Sequence, residues 1–364
     1  MMNEERLTVL AGGQDWTAFK RVVVNASVSE AARSFSLEIA LEPGATATAA
    51  AFRGGKPLQI FANGALLFKG YVDRYRPRIA AGSAEATIEG RSLAADAIDG
   101  AAVHKTGRFE KMTPLEIAQA LDKAKVGFSA TAQLDKIPLA QIRPGETVFG
   151  FVERLAREQH VTLRGMAKGG VDLWDASKPQ RHAGALVEGV NLKSVEASHD
   201  ESGRHSHYVV RGQKAKGTAI GDLDIEAIAR DQNVDRWRPT IIVVEEDIDQ
   251  PRAKRRAKAH RDRAAGRSLT ADGVVQGFRD DAGTPWEPGR IIPVESDTLD
   301  IRQDMLIETV VFEQTNDGST TRLGLVDPRA YAGKAARGSK SGAAWKQDDS
   351  EAEATQPGTE SPVQ

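Results

Sequence analysis

Residues 57–73, PLQIFANGALLFKGYVD, read as a β-hairpin and set the class of the fold. Leu58-Gln59-Ile60-Phe61 and Leu66 to Val72 flank Asn63-Gly64. Asn-Gly is the strongest two-residue hairpin signal because both turn residues need positive φ. Upstream, Ser34 to Leu41 alternates, with Phe35, Leu37, Ile39 and Leu41 on one face and Ser36, Glu38 and Ala40 on the other. That period of two marks a half-buried strand. Downstream, Ala86-Thr87-Ile88 adds a further short strand. Strands this closely spaced, with no long helix between them, predict a barrel or sandwich rather than a parallel sheet.

The pattern changes after residue 92. Ser92 is placed to cap a short helix through Leu93 and Ile98, and Thr113-Pro114 with Glu116 forms a capping box for a firmer one. Val148, Phe151, Val152 and Leu155 then recur at i, i+3, i+4 and i+7, the apolar stripe of an amphipathic helix. Two strands follow around Gly169-Gly170, so this stretch predicts a small α+β unit between β regions. From about residue 190 strands return at Ser194–Ala197, His207–Arg211, Thr240–Val244, Val274–Arg279 and Ile291–Val294. A last pair, Met305–Gln314 and Thr320–Val326, flanks Asn316-Asp317-Gly318. Met305 to Phe312 is largely apolar on both faces, which predicts a strand covered on both sides. Lys214 to Asp231 reads as a long loop, and no internal repeat is visible. Beyond Tyr331 the chain is rich in Gly, Ser, Ala, Lys, Glu and Gln; it buries too little to offset its ordering entropy and is predicted disordered.

Composition narrows the function classes. A chain of 364 residues suits two or three domains, and with 5% aromatics their cores rest on Val, Ile, Leu and Ala. Lys plus Arg is 49 against Asp plus Glu 51, so the chain lacks the cationic excess by which a sequence-independent DNA binder displaces counterions. With no cysteine, disulfides, thiolate catalysis and Cys-ligated zinc are excluded. Met1 to Leu10 holds no signal-peptide-like apolar run, and no stretch approaches a membrane span, so membrane insertion is not expected.

The most unusual segment is 251–268, PRAKRRAKAHRDRAAGRS. Arg252, Lys254, Arg255, Arg256, Lys258, Arg261 and Arg263 crowd a predicted helix whose apolar stripe is only Ala253, Ala257 and Ala264. Two readings stand: a basic patch facing nucleic acid, a channel or an acidic partner, or a solvated helix docked by its alanines and partly neutralised by Glu245, Glu246, Asp247 and Asp249. His199, His205 and His207 lie close together, but a metal needs three or four convergent ligands and no recognised spacing accompanies them. Asp222, Asp224 and Glu226 alternate without the glycine of a calcium loop, so a solvated loop is the better reading. Gly54-Gly55-Lys56 lacks the upstream glycine of a phosphate loop and is followed by Pro57. With the remaining catalytic signatures also absent, no catalytic, cofactor-binding or metal residue is assigned and no enzyme is expected.

Several short motifs, in order, resemble the Mu-type baseplate hub family of contractile phage tails. They are Lys69-Gly70-Tyr71-Val72-Asp73, Gly90-Arg91-Ser92-Leu93 with Ala95-Asp96 and Ile98-Asp99, and Arg143-Pro144-Gly145-Glu146-Thr147-Val148-Phe149. Glu188-Gly189-Val190-Asn191-Leu192, His205-Ser206-His207-Tyr208, Asp235-Arg236-Trp237-Arg238-Pro239, Gly277-Phe278-Arg279 with Pro285-Trp286, and Leu306-Ile307-Glu308 continue the series, so the resemblance spans about residues 5 to 330. It implies a mainly β protein with two β-barrel domains of related fold plus a smaller α+β domain. The corresponding boundaries are 1–100 (first barrel), 101–185 (α+β), 186–330 (second barrel with an inserted loop and the basic helix 251–268) and 331–364 (disordered tail). It further implies a structural homotrimer in the virion tail baseplate, assembled in the bacterial host cytoplasm. Its pseudo-hexameric ring would join a hexameric tail tube protein to a trimeric tail spike protein, beside other baseplate proteins and around a channel for transient DNA passage. The alternatives are the hub of a type VI-like secretion spike, a tail-associated cell-wall hydrolase, and a nucleic-acid-binding module centred on the basic helix.

Overall fold

Alternating apolar side chains build the first part of the molecule. The structure, a computed structural model, describes residues 5–42, 46–213, 224–331 and 353–354. Strands β1 (Leu7–Ala11), β2 (Gln14–Trp16), β3 (Arg21–Ser27) and β4 (Ser34–Ala40) lead to a short helix α1 (Thr46–Ala51), then β5 (Pro57–Ala62), β6 (Ala65–Ala80) and β7 (Ser83–Ser92). Phe35, Leu37 and Ile39 of β4 are buried as their period of two predicts. Asn63 (φ 42°) and Gly64 (φ 84°) make the expected turn between β5 and β6. Gly70 and Gly90 lie on the paired strands β6 and β7. A Cβ on Gly90 would stand 2.0 Å from the Tyr71 carbonyl oxygen, and one on Gly70 2.1 Å from that of Arg91. These glycines permit close backbone approach.

The next elements form a core of their own. They are α2 (Ala94–Asp99), β8 (Arg108–Met112), α3 (Pro114–Leu121), β9 (Phe128–Ala130), β10 (Ile137–Gln141), α4 (Val148–Glu158), β11 (Thr162–Gly165) and β12 (Val171–Trp174). Ile117, Leu121, Phe151, Val152 and Leu155 pack against Leu163, Val171 and Leu173. Thr113 and Glu116 make the reciprocal capping box of α3. Ser92 does not cap α2; its hydroxyl accepts from the Arg33 backbone N–H at 3.1 Å.

Strands β13 (Gln180–Arg181), β14 (Leu186–Val187) and β15 (Leu192–His199) return the chain to the large sheet. An insertion follows: β16 (His207–Gln213), β17 (Ile225–Arg230), β18 (Pro239–Asp247) and α5 (Gln250–Arg267), with Tyr208, Val210, Ala227, Val244, Ala253 and Ala257 in a separate core. Ile225–Arg230 is thus a strand, where the sequence had read as loop, because its Ile and Ala side chains face that core. Then come β19 (Leu269–Gln276), β20 (Arg290–Ser296), β21 (Ile301–Thr315), β22 (Gly318–Val326) and a 3-10 turn, Pro328–Tyr331. Gln303 to Ile307 are all buried, so β21 is covered on both faces up to there; beyond Glu308 burial alternates through Val310 and Phe312. The expectation of disorder concerns residues outside those described, apart from Tyr331 and β23 (Glu353–Ala354), which pairs with β17.

The structure reveals a repeat that the sequence hides. β3-β4-β7-β6-β5 and β15-β19-β22-β21-β20 have the same strand order, every neighbour antiparallel. Their long hairpins match residue by residue. In one, Tyr71 pairs with Arg91 and Val72 with Gly90, Asp73 bulges, Arg74 pairs with Glu89 and Ala80 closes on Ser83. In the other, Leu306 pairs with Val326 and Ile307 with Leu325, Glu308 bulges, Thr309 pairs with Gly324 and Thr315 closes on Gly318.

The predicted barrels are corrected: among the described residues no sheet closes on itself. Past its bulge, β21 pairs through Thr309–Thr315 with β3, which fuses both halves into one open 14-stranded sheet. A buried junction supports this seam. Arg33, only 2% exposed, binds both Glu287 oxygens at 2.6 Å and donates to Leu67 O and Gly165 O, so it touches both β halves and the α+β unit. Nearby, His182 Nδ1 lies 2.8 Å from Asp280 Oδ2, and its Nε2 accepts from the Glu287 N–H at 3.1 Å, which places the proton on Nδ1. Burial pushes the His182 imidazole below its ordinary value, against the pull of Asp280. Asp280 is desolvated too, yet hydrogen bonds from His182, Ala183 and Thr284 hold it below the usual carboxylate range.

Replacing Glu287 with Ala strands a buried guanidinium, so urea denaturation is expected to show a loss of about 3 kcal/mol. The depressed His182 is neutral when folded and must gain a proton to match the unfolded chain as pH falls. Its contribution is complete above the unfolded value of 6.5 and is lost as pH drops from there towards the lower folded-state value. Thermal melts should therefore decline below about pH 6.5, and His182→Asn, which cannot titrate, should flatten that slope.

Candidate assembly surfaces

Helix α5 starts where Asp249 accepts from the Arg252 N–H at 2.8 Å, with Pro251 in the first turn. Ala253 and Ala257 are fully buried against the small sheet. Gly266 lies so close to the 3-10 turn that a Cβ there would stand 2.1 Å from Ala330 N. Arg252, Arg255, Arg256 and Arg263 are exposed, and Lys254 and Lys258 half-buried. Arg261 leaves the surface: it is 2% exposed and bonded to Asp262. The docked-helix reading thus describes how α5 is held, and Arg252, Arg255, Arg256 and Arg263 remain at the surface.

The histidines do not converge. His199 Nε2 lies 3.0 Å from Leu299 O, His205 packs edge-on against Tyr208, and the His207 ring lies tilted against Trp237 at 4.8 Å. Among the described residues no group of three or more His, Asp or Glu side chains could hold a metal. Asp222 lies outside the described residues, Asp224 is exposed, and Glu226 binds Arg211 at 2.7 Å. A shallow depression is lined by Thr131, Arg164, Trp174, Asp175, Lys178, Gln180, Gly289 and Arg290, with a single carboxylate and so no acid pair for hydrolysis.

The free sheet edges were missed in the sequence. Beyond Tyr71, β6 has left β5, and Arg74–Ala80 projects as a hairpin arm paired with β7 alone. Arg74, Arg76 and Arg78 line one face, while Tyr75, Pro77 and Ile79 line the other, with Ile79 84% exposed. β15 ends the large sheet, and its outer edge has no strand partner among the described residues. The signal for the arm was present: the alternation runs past Asp73 through Arg-Tyr-Arg-Pro-Arg-Ile to the turn at Gly82.

Residues 6–92 match the profile of the Mu phage baseplate assembly protein GpP-like N-terminal domain, 94–175 that of the baseplate hub protein gp44-like second domain, and 250–334 that of the GpP fourth domain. The chain belongs to the Mu-type baseplate hub family. Over 340 residues it is 28% identical to baseplate hub protein gp44 of Escherichia phage Mu, covering 89% of this chain and 88% of that one. The 43 kDa tail protein of prophage MuSo2 from Shewanella oneidensis shares the fold with a TM-score of 0.79 at 23% identity, over 90% of this chain and 99% of that one. A tail protein from Neisseria meningitidis does so with a TM-score of 0.75 at 20% identity, over 91% and 100%. The hub protein is a structural component of a phage tail and not an enzyme, as its relatives are. Among the described residues no helix is long and apolar enough to cross a membrane.

Because α5 is held by small buried side chains, replacing Arg255, Arg256 or Arg263 with Gln should each change unfolding free energy by less than about 0.5 kcal/mol. Ala257→Leu, which overfills a fully buried position, should cost about 1–3 kcal/mol on the same denaturation curve.

Proposed function

We propose that three copies of this hub protein assemble as a ring that joins a hexameric tail tube on one side to a trimeric central spike on the other. The observation that carries this reading is the duplicated five-stranded unit. One chain holds two units of identical strand order and hairpin register. Three chains then offer six similar units, so an object with exact threefold symmetry presents a nearly sixfold face. The family relationship supports the baseplate setting.

In this reading the chain is assembled in the bacterial host cytoplasm and comes to lie in the virion baseplate beside other tail proteins. The outward cations of α5, Arg252, Lys254, Arg255, Arg256, Lys258 and Arg263, supply a basic surface for an acidic partner or for DNA passing the channel. Its rigidity comes from the β3–β21 seam and the Arg33 junction, since a ring subunit must hold its two units at a fixed angle.

Sedimentation of the purified full chain, alone and with the spike protein, should give a species of three times the chain mass. Projection images of it should show six lobes around a channel. A strictly monomeric protein under both conditions would overturn the ring.

A further inference from the structure

Within one chain, the first strand of the first unit pairs with the far half of the fourth strand of the second: β3 with Thr309–Thr315 of β21. The repeat makes β15 equivalent to β3, and Arg74–Ala80 of β6 equivalent to Thr309–Thr315. Each of these equivalents is paired on one side only, β15 with β19 and Arg74–Ala80 with β7, and its other edge has no strand partner among the described residues. We propose that β15 of one copy pairs antiparallel with Arg74–Ala80 of the next, repeating between copies the seam that β3 and β21 make within one. This rests on the ring reading and specifies its interface.

The repeat also fixes the register. Thr309 pairs with Ser27 and Thr315 with Arg21. In the strand alignment Thr309 corresponds to Arg74, while Asn25, which pairs with Ser34, corresponds to Ser198, which pairs with Thr270. Transferred to the free edges, Ile79 falls opposite Val195 and Pro77 opposite Ala197 on the core-facing side. On the other side Arg78 falls opposite Glu196 and Arg74 opposite Asp200.

None of these matches entered the alignment, which used backbone pairing alone. Yet Ile79, 84% exposed in the single chain, meets an apolar partner, and two arginines meet carboxylates. The arm has positive charge to spare: Arg74, Arg76 and Arg78 share only Glu89 and Glu85, and Glu85 also holds Lys20. Pro77 suits the free edge of a single chain and leaves the proposed ladder one donor short. Repeated three times, the contact closes the open sheets into a continuous cylinder, so the closure missing from one chain is supplied by its neighbours.

The native chain has no cysteine, so introduced thiols report unambiguously. Directly opposite residues of an antiparallel pair lie close enough for a disulfide. Under mild oxidation the double variant Ile79→Cys/Val195→Cys should run as a covalent trimer in denaturing gels. A mixture of the two single variants should stop at dimers, and each single variant alone should stay monomeric. As a second measurement, Glu196→Arg should weaken the trimer at least tenfold in dilution, and Arg78→Glu in the same chain should restore it. Native trimers whose double variant never cross-links would overturn the contact and leave the ring reading standing. If the native chain itself fails to trimerise with spike present, both fall. Cross-linking by Val195→Cys alone would replace the head-to-tail contact with a twofold one and overturn it too.

Discussion

The fold depends on one strand exchange: β21 crosses its bulge at Glu308 and leaves β20 to pair with β3. Without that step the two five-stranded units would be joined mainly through the α+β unit between Ser92 and Leu192, and domains without a large shared interface are expected to move relative to each other. With it, the units share a hydrogen-bonded ladder and one apolar core, in which Val22, Val24 and Phe35 join Val310, Phe312 and Leu323. A bulge inserts one unpaired residue and turns the strand. It re-aims the second half of β21 towards a new neighbour, and the matching bulge at Asp73 re-aims the arm of β6.

Polar groups then fix what the ladder permits. A buried arginine is costly unless its partners are complete, and Arg33 draws its partners from three parts of the chain. Its contribution is geometric as much as energetic, because only one arrangement of the three satisfies it. The Asp280–His182–Glu287 link ties the segment before β14 to the same point, so the chain's passage from the α+β unit to the second β unit is pinned where the first unit begins.

Local signals carried the reading of the sequence where local physics decides the outcome. Asn63-Gly64, the alternation of β4, the capping box at Thr113 and Glu116, and the stripe of α4 all appear where their patterns place them. What stayed hidden was long-range. The repeat aligns Tyr-Val-Asp-Arg-Tyr-Arg-Pro-Arg-Ile-Ala (71–80) with Leu-Ile-Glu-Thr-Val-Val-Phe-Glu-Gln-Thr (306–315), without one identical residue, because backbone ladders do not read side-chain identity. The barrels failed for a related reason: closure depends on which edge each strand meets, and no short window carries that. Arg261 read as a surface cation because an 18-residue helix of weak apolar periodicity does not reveal which cation faces inward. The arm was cut short at Asp73 because a charge at a bulge resembles the end of a strand.

The two versions of the seam use opposite chemistry for one geometry, and this has a consequence for how units are ordered around a ring. Inside the chain the seam is apolar, with Val24 opposite Phe312, and its ion pair places the cation Arg21 on the first strand and the anion Glu313 on the fourth. It lies within one chain. The proposed contact between copies must stay soluble beforehand, and charge with proline on its edges provides that. Its charges are reversed: the anion Glu196 is on the first strand and the cation Arg78 on the fourth. A wrong pairing of β15 with another copy's β21 would set Glu196 directly against Glu313, and β3 with another copy's arm would bring Arg21 beside Arg78. A single such pair shifts the balance by only about 0.2–1 kcal/mol, but the repulsion acts at every wrong contact in a closed ring. Two units of one topology can thus be made to alternate, because their edges carry opposite signs.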